Sequence, residues 1–329
     1  MKKQENKTLE ITISGLKKEF GDDIIFRGRS QDKIKEIERI STGSLAADVI
    51  TGGGFPIGQI IEIYGKPSVG KTALALLCIA VAQKSGKKTV FIDVESVLNY
   101  DWAEKLGVDT ENWFISRPSS AEAALETVDR LVRSGEIDLI VLDSIAALVS
   151  QEELDKPMDK DTMAKQARLV SQALRKFGAW ANKTRTTLLF INQTRTDFKG
   201  YFPKTVTPGG DALKFWAAIR LELKCIKIRE DKKGHTIQIT ATKNKTAPPF
   251  LSSTINLVYN EPLREEAEIF DLAKELDILK QKGKTGGHYY LDNEKNIIGH
   301  GKDEVVKVLE ENKELAQKIK QRIMGILYD

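Results

Sequence analysis

The sequence predicts an α/β protein with a mainly parallel central sheet, a short helix before it and a small α+β segment after it. Three observations point there. Apolar runs of strand length alternate with helix-length segments between residues 60 and 192. The first of those runs leads straight into Gly65-Lys66-Pro67-Ser68-Val69-Gly70-Lys71-Thr72. Near Asn260–Glu268 the chain becomes highly charged and helical in pattern, which sets a boundary at about residue 265. The expected divisions are 1–35, 36–265 and 266–329.

Taken in order, Leu9–Phe20 reads as a helix ended by Gly21. Its apolar residues Leu9, Ile11, Ile13, Leu16 and Phe20 exceed what so short a helix needs for its own packing. Ser41–Gln59 is dense in glycine and turn residues. Strands are expected at Ile60–Tyr64, Thr89–Val94, Leu139–Leu142 and Thr187–Asn192, each apolar enough to be buried on both faces. Helices are expected between them at Lys71–Ser85, Ala121–Ser134 and Thr162–Lys183. Ala217–Ile228 and His235–Lys243 follow each other without a helix, which predicts antiparallel additions at one edge. Beyond the boundary, helices at Glu266–Leu279 and Asp303–Leu327 flank a segment that reads as a hairpin.

Composition narrows the class. Hydrophobic residues make up 41% and charged residues 30%, a normal mixture for a globular chain with a sizeable core. No apolar run approaches the ~20 residues of a membrane helix, and the N-terminal MKKQENKTLE lacks a signal peptide's apolar stretch. A cytoplasmic location without membrane contact is the expectation. Cys78 and Cys225 both lie in apolar-patterned segments and are expected as buried thiols. His235, His288 and His300 show no metal-ligand spacing, so no zinc site is expected. Net charge is only +4, but its distribution is uneven. Between Ala164 and Gly210 lie Lys165, Arg168, Arg175, Lys176, Lys183, Arg185, Arg195, Lys199 and Lys204, against the single acid Asp197. Such a run is usually a solvated face; a polyanion is the alternative.

The octet Gly65–Thr72 has the G-x-x-x-x-G-K-[ST] spacing of a phosphate-binding loop. Its glycines let backbone N–H groups turn inward around phosphate oxygens. The following helix N-terminus adds partial positive charge and Lys71 a full one. Thr72 would place a hydroxyl on Mg²⁺, and Asp143, ending an apolar strand, would hold magnesium-bound water. ATP and Mg²⁺ are therefore the expected cofactors. A carboxylate after Thr89–Val94 could orient and deprotonate an attacking water. By position alone Glu95 and Asp93 are rivals for that role.

Together these segments resemble the bacterial RecA recombinase family almost end to end. The resemblance rests on ISTGSLAADV, IIEIYGKPSVGKT, FIDVES, LDSIAAL, FINQTR, TPGGDALKFWAAIRLE and KNKTAPPF, and extends to the C-terminal GHGK. It implies a RecA-type ATPase core that forms a helical filament of identical subunits on single-stranded DNA. It also implies homologous pairing and strand exchange with duplex DNA, in recombination and the repair of DNA damage, including the SOS response. Loader, mediator and repressor partners are not specified by it.

The resemblance assigns roles as well. Glu95 corresponds to the catalytic glutamate, and Asn99 and Trp102 to the adenine site. Gln193 corresponds to the sensor of the γ-phosphate. Lys243 and Lys245 match lysines that reach a neighbouring subunit's ATP, and Lys214 and Phe215 an interface. Gln151–Met163 and Thr194–Gly210 match the DNA-binding segments. Within and beside them, Met163, Arg168, Ser171, Arg175, Arg195, Thr196, Phe198, Gly209 and Gly210 match DNA contacts.

Some residues depart from that family. Lys66-Pro67-Ser68-Val69 stands where Pro-Glu-Ser-Ser is usual, so a different rate of ATP turnover is expected. Phe198 replaces an isoleucine in a segment about one residue shorter, and the final QRIMGILYD lacks the family's common acidic tail. A hexameric helicase or a non-hydrolysing paralogue would share the loop. The first would not carry TPGGDALKF with KNKTAPPF, and the second would typically lack Lys71 or Glu95. A small-molecule kinase would need a lid, and none is evident.

Overall fold

The computed structural model describes residues 2–26, 37–155, 162–197, 204–282, 287–292 and 297–328. Met1–Glu38 and Arg39–Asp329 are separate compact units. In the first, the helix runs from Lys2 to Phe20, longer than expected. Lysine, glutamine and glutamate ahead of Leu9 favour helix without adding to the apolar stripe. Gly21, at φ +93°, ends it, and its amide donates to the Lys17 carbonyl at 2.8 Å. Leu9, Ile11 and Phe20 are exposed.

The second unit is built on eight strands. In chain order they are β1 (Ile60–Gly65), β2 (Thr89–Asp93), β3 (Phe114–Ser116), β4 (Leu139–Asp143), β5 (Thr187–Gln193), β6 (Ile219–Ile228), β7 (Gly234–Asn244) and β8 (Ser252–Val258). In space they lie in the order β8-β7-β6-β1-β5-β4-β2-β3. From β6 to β3 every pairing is parallel; β7 and β8 are added antiparallel. This is the expected α/β architecture with its antiparallel edge.

Successive strand residues enter opposite cores. Ile61, Ile63, Phe91, Val141, Leu189 and Ile191 pack on one face with the helix Lys71–Lys84. Val90, Ile92, Ile140, Leu142, Leu188 and Phe190 pack on the other with the helices Ala121–Ser134 and Thr162–Thr184. That period of two requires strands apolar on both sides, which is why they read as continuous apolar runs. Glu62 and Asn192 break the rule. Glu62, in the middle of β1, is fully buried and hydrogen-bonds Arg220 Nε at 2.5 Å and Asn192 Nδ2 at 3.1 Å.

Several expectations are corrected. Cys225 is exposed, whereas Cys78 is buried. From Lys224 onward β6 runs past its neighbour β1, with a bulge between Cys225 and Lys227, so its apolar pattern no longer faces a core. The helix expected at Asp303–Leu327 breaks at Asn312 into Gly301–Glu311 and Lys313–Tyr328. The first helix of this region ends at Glu275. The expected hairpin is a three-stranded antiparallel sheet of Lys280–Lys282, His288–Tyr290 and Ile297–His300. Strand β8 was not foreseen; its alternation reflects one buried face on an edge strand.

A buried carboxylate ties the C-terminal helices to the core. Glu268 accepts the Ser44 hydroxyl at 2.6 Å and the Leu45 amide at 2.8 Å, so it caps the helix Leu45–Thr51. Burial pushes its carboxyl from 4.5 up to about 8, against those two donors. The folded chain therefore holds this proton where the unfolded chain has lost it. Its contribution to stability is full below about 4.5 and is lost as pH rises through about 8. Denaturation midpoints should fall across that interval, and less steeply in Glu268→Gln. Glu268→Ala, which leaves two buried donors without an acceptor, should cost about 1–3 kcal/mol for each at acid pH. Parallel pH profiles for the parent and Glu268→Gln would contradict this account.

Candidate active site

The polar site grows from the carboxyl ends of the parallel strands. Register sets Gly65 beside Gln193, and Asp93 beside Asp143. Gly65 must be glycine, because a Cβ there would lie 2.4 Å from the Leu223 carbonyl oxygen of β6. Gly70, at φ +96°, precedes the helix Lys71–Lys84, and a Cβ there would meet Ile237 at 2.6 Å. The loop between them is thus shaped by backbone close to the sheet.

Lys71 is buried and donates to the Lys66 carbonyl at 2.7 Å, folding its ammonium over the loop. Burial lowers its pKa, opposed by the Asp143 and Glu95 carboxylates. Thr72 Oγ1 donates to Asp143 Oδ2 at 2.6 Å. Burial pushes Asp143 up to about 6, with the Glu95 charge adding to the effect. A buried carboxylate beside a hydroxyl, at the mouth of a phosphate loop, fits a small cation that takes its other ligands from water and phosphate. Among the described residues no cluster of three His, Cys, Asp or Glu forms a larger metal cage.

The two rival carboxylates differ in their partners. Asp93 is nearly fully buried and meets Arg117 Nε at 3.3 Å, while Arg117 also donates to the Tyr100 hydroxyl at 3.3 Å. Glu95 turns toward β4 and β5. Its Oε1 accepts Ser144 Oγ at 2.5 Å and Gln193 Nε2 at 2.9 Å. Ser144 and Arg117 were not singled out from sequence, because neither has a spacing that signals its partner. Asn99 Oδ1 caps the helix Tyr100–Lys105 by accepting the Trp102 amide at 2.9 Å. Trp102 is half-buried against the core.

The basic region lies along the helix Thr162–Thr184. Arg168 and Arg175 are exposed and Ser171 half-buried, at the i, i+3, i+7 spacing of one helix face. Gly209 and Gly210 have φ of +83° and +73°. Cβ atoms on them would lie 2.8 Å from Ile145 and 3.3 Å from Ala167. The glycine pair is therefore seated beside the turn that carries Arg168. Arg195 is exposed at the start of a short strand pair, Arg195–Asp197 with Lys204–Val206. Only the backbone is described at Met163 and Thr196, and Phe198 lies outside the described residues.

The four interface calls divide. Lys243 Nζ donates to the Lys214 and Phe215 carbonyls at 2.7 and 2.9 Å, which brings those three residues to one surface. Phe215 is 73% exposed there. Lys245 is exposed two residues further on.

Such a fold and site define the class of P-loop nucleoside triphosphatases. Comparison with known proteins narrows the class. The family model described as RecA N-terminal domain matches residues 7–264, and that described as RecA C-terminal domain matches 267–327. The chain is 43% identical to "Protein RecA" of Aquifex aeolicus over 326 residues, covering 97% of this chain and 92% of that one. It is 41% identical to "Protein RecA" of Bdellovibrio bacteriovorus, covering 97% and 85%. For "Protein RecA" of Wolinella succinogenes the identity is 40%, covering 98% and 92%. The chain belongs to the RecA family. It is an ATP-binding, DNA-dependent ATPase of homologous recombination and repair. It binds single-stranded DNA and assembles with its own copies into a filament.

Turnover by variants should separate the carboxylates. Lys71→Ala should abolish hydrolysis. Glu95→Gln should slow it by about 10²–10⁴-fold with ATP still bound. Asp93→Asn should act mainly on ATP affinity and stability, through the loss of Arg117's partner. An inactive Asp93→Asn beside an active Glu95→Gln would reverse the assignment.

Proposed function

We propose that this chain pairs single-stranded DNA with a homologous duplex and exchanges the strands, using Mg²⁺ and ATP, in the cytoplasm. The phosphate loop and the basic face share one strand end, and that observation carries the reading. Gln193 pairs with Gly65, the Thr194 amide donates to the Gly65 carbonyl at 3.0 Å, and Asn192 Nδ2 donates to the Pro208 carbonyl at 3.1 Å. Residues 192–194 thus touch the nucleotide loop on one side and the segment leading to Gly209 on the other. A change at either end pulls on the same three residues.

Backbone N–H groups of the loop and Lys71 hold the β- and γ-phosphates. The Thr72 hydroxyl would hold Mg²⁺ and Asp143 its bound water, and the ion would supply positive charge to offset the phosphates. Glu95 orients the attacking water and takes its proton. Asn99 and Trp102 border the adenine. Arg168, Ser171, Arg175, Arg195 and Thr196, with the N–H groups of Gly209 and Gly210, grip the DNA backbone, which is the sequence-independent part of recognition. Met163 and Phe198 wedge between bases. In this reading 1–35 is the polymerisation segment, 36–265 the ATPase core and 266–329 a small C-terminal domain.

The site is completed by a second subunit. Lys243 pairs with Arg220, which pairs with Glu62, three residues before Gly65. That is about 10 Å back along β1 at ~3.3 Å per residue. The Lys245 amide bonds Ala218, whose own amide bonds Ile60, about 16 Å back by the same rise. Lysines so placed act on a phosphate held by a neighbouring subunit, where Lys214 and Phe215 also meet it. Two cations closing over the γ-phosphate stabilise charge in the transition state and make the interface tighter with ATP than with ADP.

Two experiments test this. Purified protein should convert a single strand and its homologous duplex into exchanged products only with Mg²⁺ and ATP; DNA-dependent hydrolysis without any exchange would refute the pairing activity. Lys71→Ala and Lys245→Ala subunits should each be inactive alone yet regain ATPase activity in filaments shown by microscopy to be mixed. No recovery there would refute the shared site.

A further inference from the structure

We propose that Arg39 is a positioning residue for ATP hydrolysis in the neighbouring subunit, acting through Lys245. Its guanidinium fixes the turn from which that lysine reaches out. The inference rests on the reading of Lys245 as acting across the interface.

Lys245 lies just past Asn244, the last residue of β7. Its amide donates to the Ala218 carbonyl at 3.0 Å, and the chain then leaves the sheet. A long side chain on a surface turn is aimed only as well as its backbone is held. Two residues hold that backbone. Asn244 Oδ1 accepts the Thr246 and Ala247 amides at 2.9 and 3.0 Å, which folds the turn. Arg39, half-buried, fastens the turn to the core. Its Nη2 donates to the Thr246 carbonyl and its Nη1 to the Thr246 hydroxyl, both at 3.2 Å. The same Nη1 reaches the Thr51 and Gly54 carbonyls at 3.2 and 3.0 Å.

Those carbonyls give a fixed support. The helix Leu45–Thr51 is buried along its whole length, and Glu268 caps its other end. Thr51 offers one of the carbonyls that a helix end leaves without a partner, where a cation is favoured. Asn244 Nδ2 donates to the same carbonyl at 3.2 Å, so turn and helix end are joined twice. The fit is close. A Cβ on Gly52, at φ +89°, would lie 2.8 Å from the Ala247 Cβ and 3.2 Å from Arg39 Nη2. A guanidinium suits this place because its planar fork meets several carbonyls at once, whereas an ammonium is a point donor on a flexible stem.

Loss of the fork leaves Lys245 present but loosely aimed. The defect falls on the site that this subunit completes for its neighbour, while its own Lys71 and Glu95 are untouched. In a head-to-tail filament those two sites lie at different interfaces.

The test is ATPase activity of full-length subunits in filaments on oligo(dT), with incorporation read by microscopy and folding by thermal melting. Arg39→Ala alone should lose about 10-fold in kcat, and Arg39→Lys, which keeps the charge but not the fork, should fall between it and the parent. Mixed equally with Lys71→Ala subunits, Arg39→Ala should give ~5-fold more activity than the two alone, since about a quarter of the interfaces then pair an intact loop with an intact turn. Mixed with Lys245→Ala subunits, it should give no gain. Any other pair of results overturns the proposal, as does parent-like activity of Arg39→Ala or its failure to enter mixed filaments. If Arg39→Ala melts below the assay temperature, Arg39→Lys is mixed in its place and must show the same pattern. Lys71→Ala mixed with Lys245→Ala separates the two levels. No recovery there removes the shared site and this inference with it. Recovery there, with no gain for Arg39→Ala beside Lys71→Ala, overturns this inference alone.

Discussion

Parallel pairing of β1 with β5 places Gly65 beside Gln193, and most of the polar site depends on that register. Strands covered on both faces tolerate charge along their length only where it is paired, as at Glu62, so most polar groups gather where the strands end. Gly65 opens the phosphate loop, Asp143 faces Thr72, and Glu95 and Ser144 lie just past the ends of β2 and β4. A shift of one residue in β5 would carry Gln193 out of reach of Glu95. It would also turn Leu188 and Phe190 toward the wrong core.

Glu62, Arg220 and Asn192 help hold that register. A fully buried carboxylate is tolerable only if its lone pairs are used, and here a guanidinium and a carboxamide use them. Arg220 also lies over the Tyr64 ring, 4.4 Å from its centroid. Removing one partner of such a pair typically costs about 3–5 kcal/mol. Because Asn192 also bonds the Pro208 carbonyl, this cluster anchors the start of the glycine segment as well as the sheet. Structural and functional demands meet in adjacent residues, Asn192 and Gln193.

Around Gly209 and Gly210, close packing rather than charge sets the geometry. Both glycines have positive φ, and a Cβ on Gly209 would clash with Ile145 while one on Gly210 would crowd Ala167, so backbone comes near the helix that carries Arg168 and Arg175. Main-chain N–H groups and cations on one helix face can hold a phosphate backbone without reading bases, as a sequence-tolerant recombinase requires. Leu9, Ile11 and Phe20 of the N-terminal helix, and Phe215, are large apolar side chains left exposed.

Much of this was legible in the chain itself. Apolar runs on both-face-buried strands must be continuous, so β1, β2, β4 and β5 could be read directly. The phosphate loop is a local object whose chemistry depends on spacing alone. Other features had no local signal. The edge strand β8, the break at Asn312 and the exposure of Cys225 depend on where neighbouring elements stop. Asp93 and Glu95 are equivalent along the chain, two residues apart at the same strand end. Only tertiary structure gives Arg117 to one, and Ser144 and Gln193 to the other, because those partners lie 24, 49 and 98 residues away in sequence. Local spacing determines which groups a segment can offer. Long-range packing decides which of them meet.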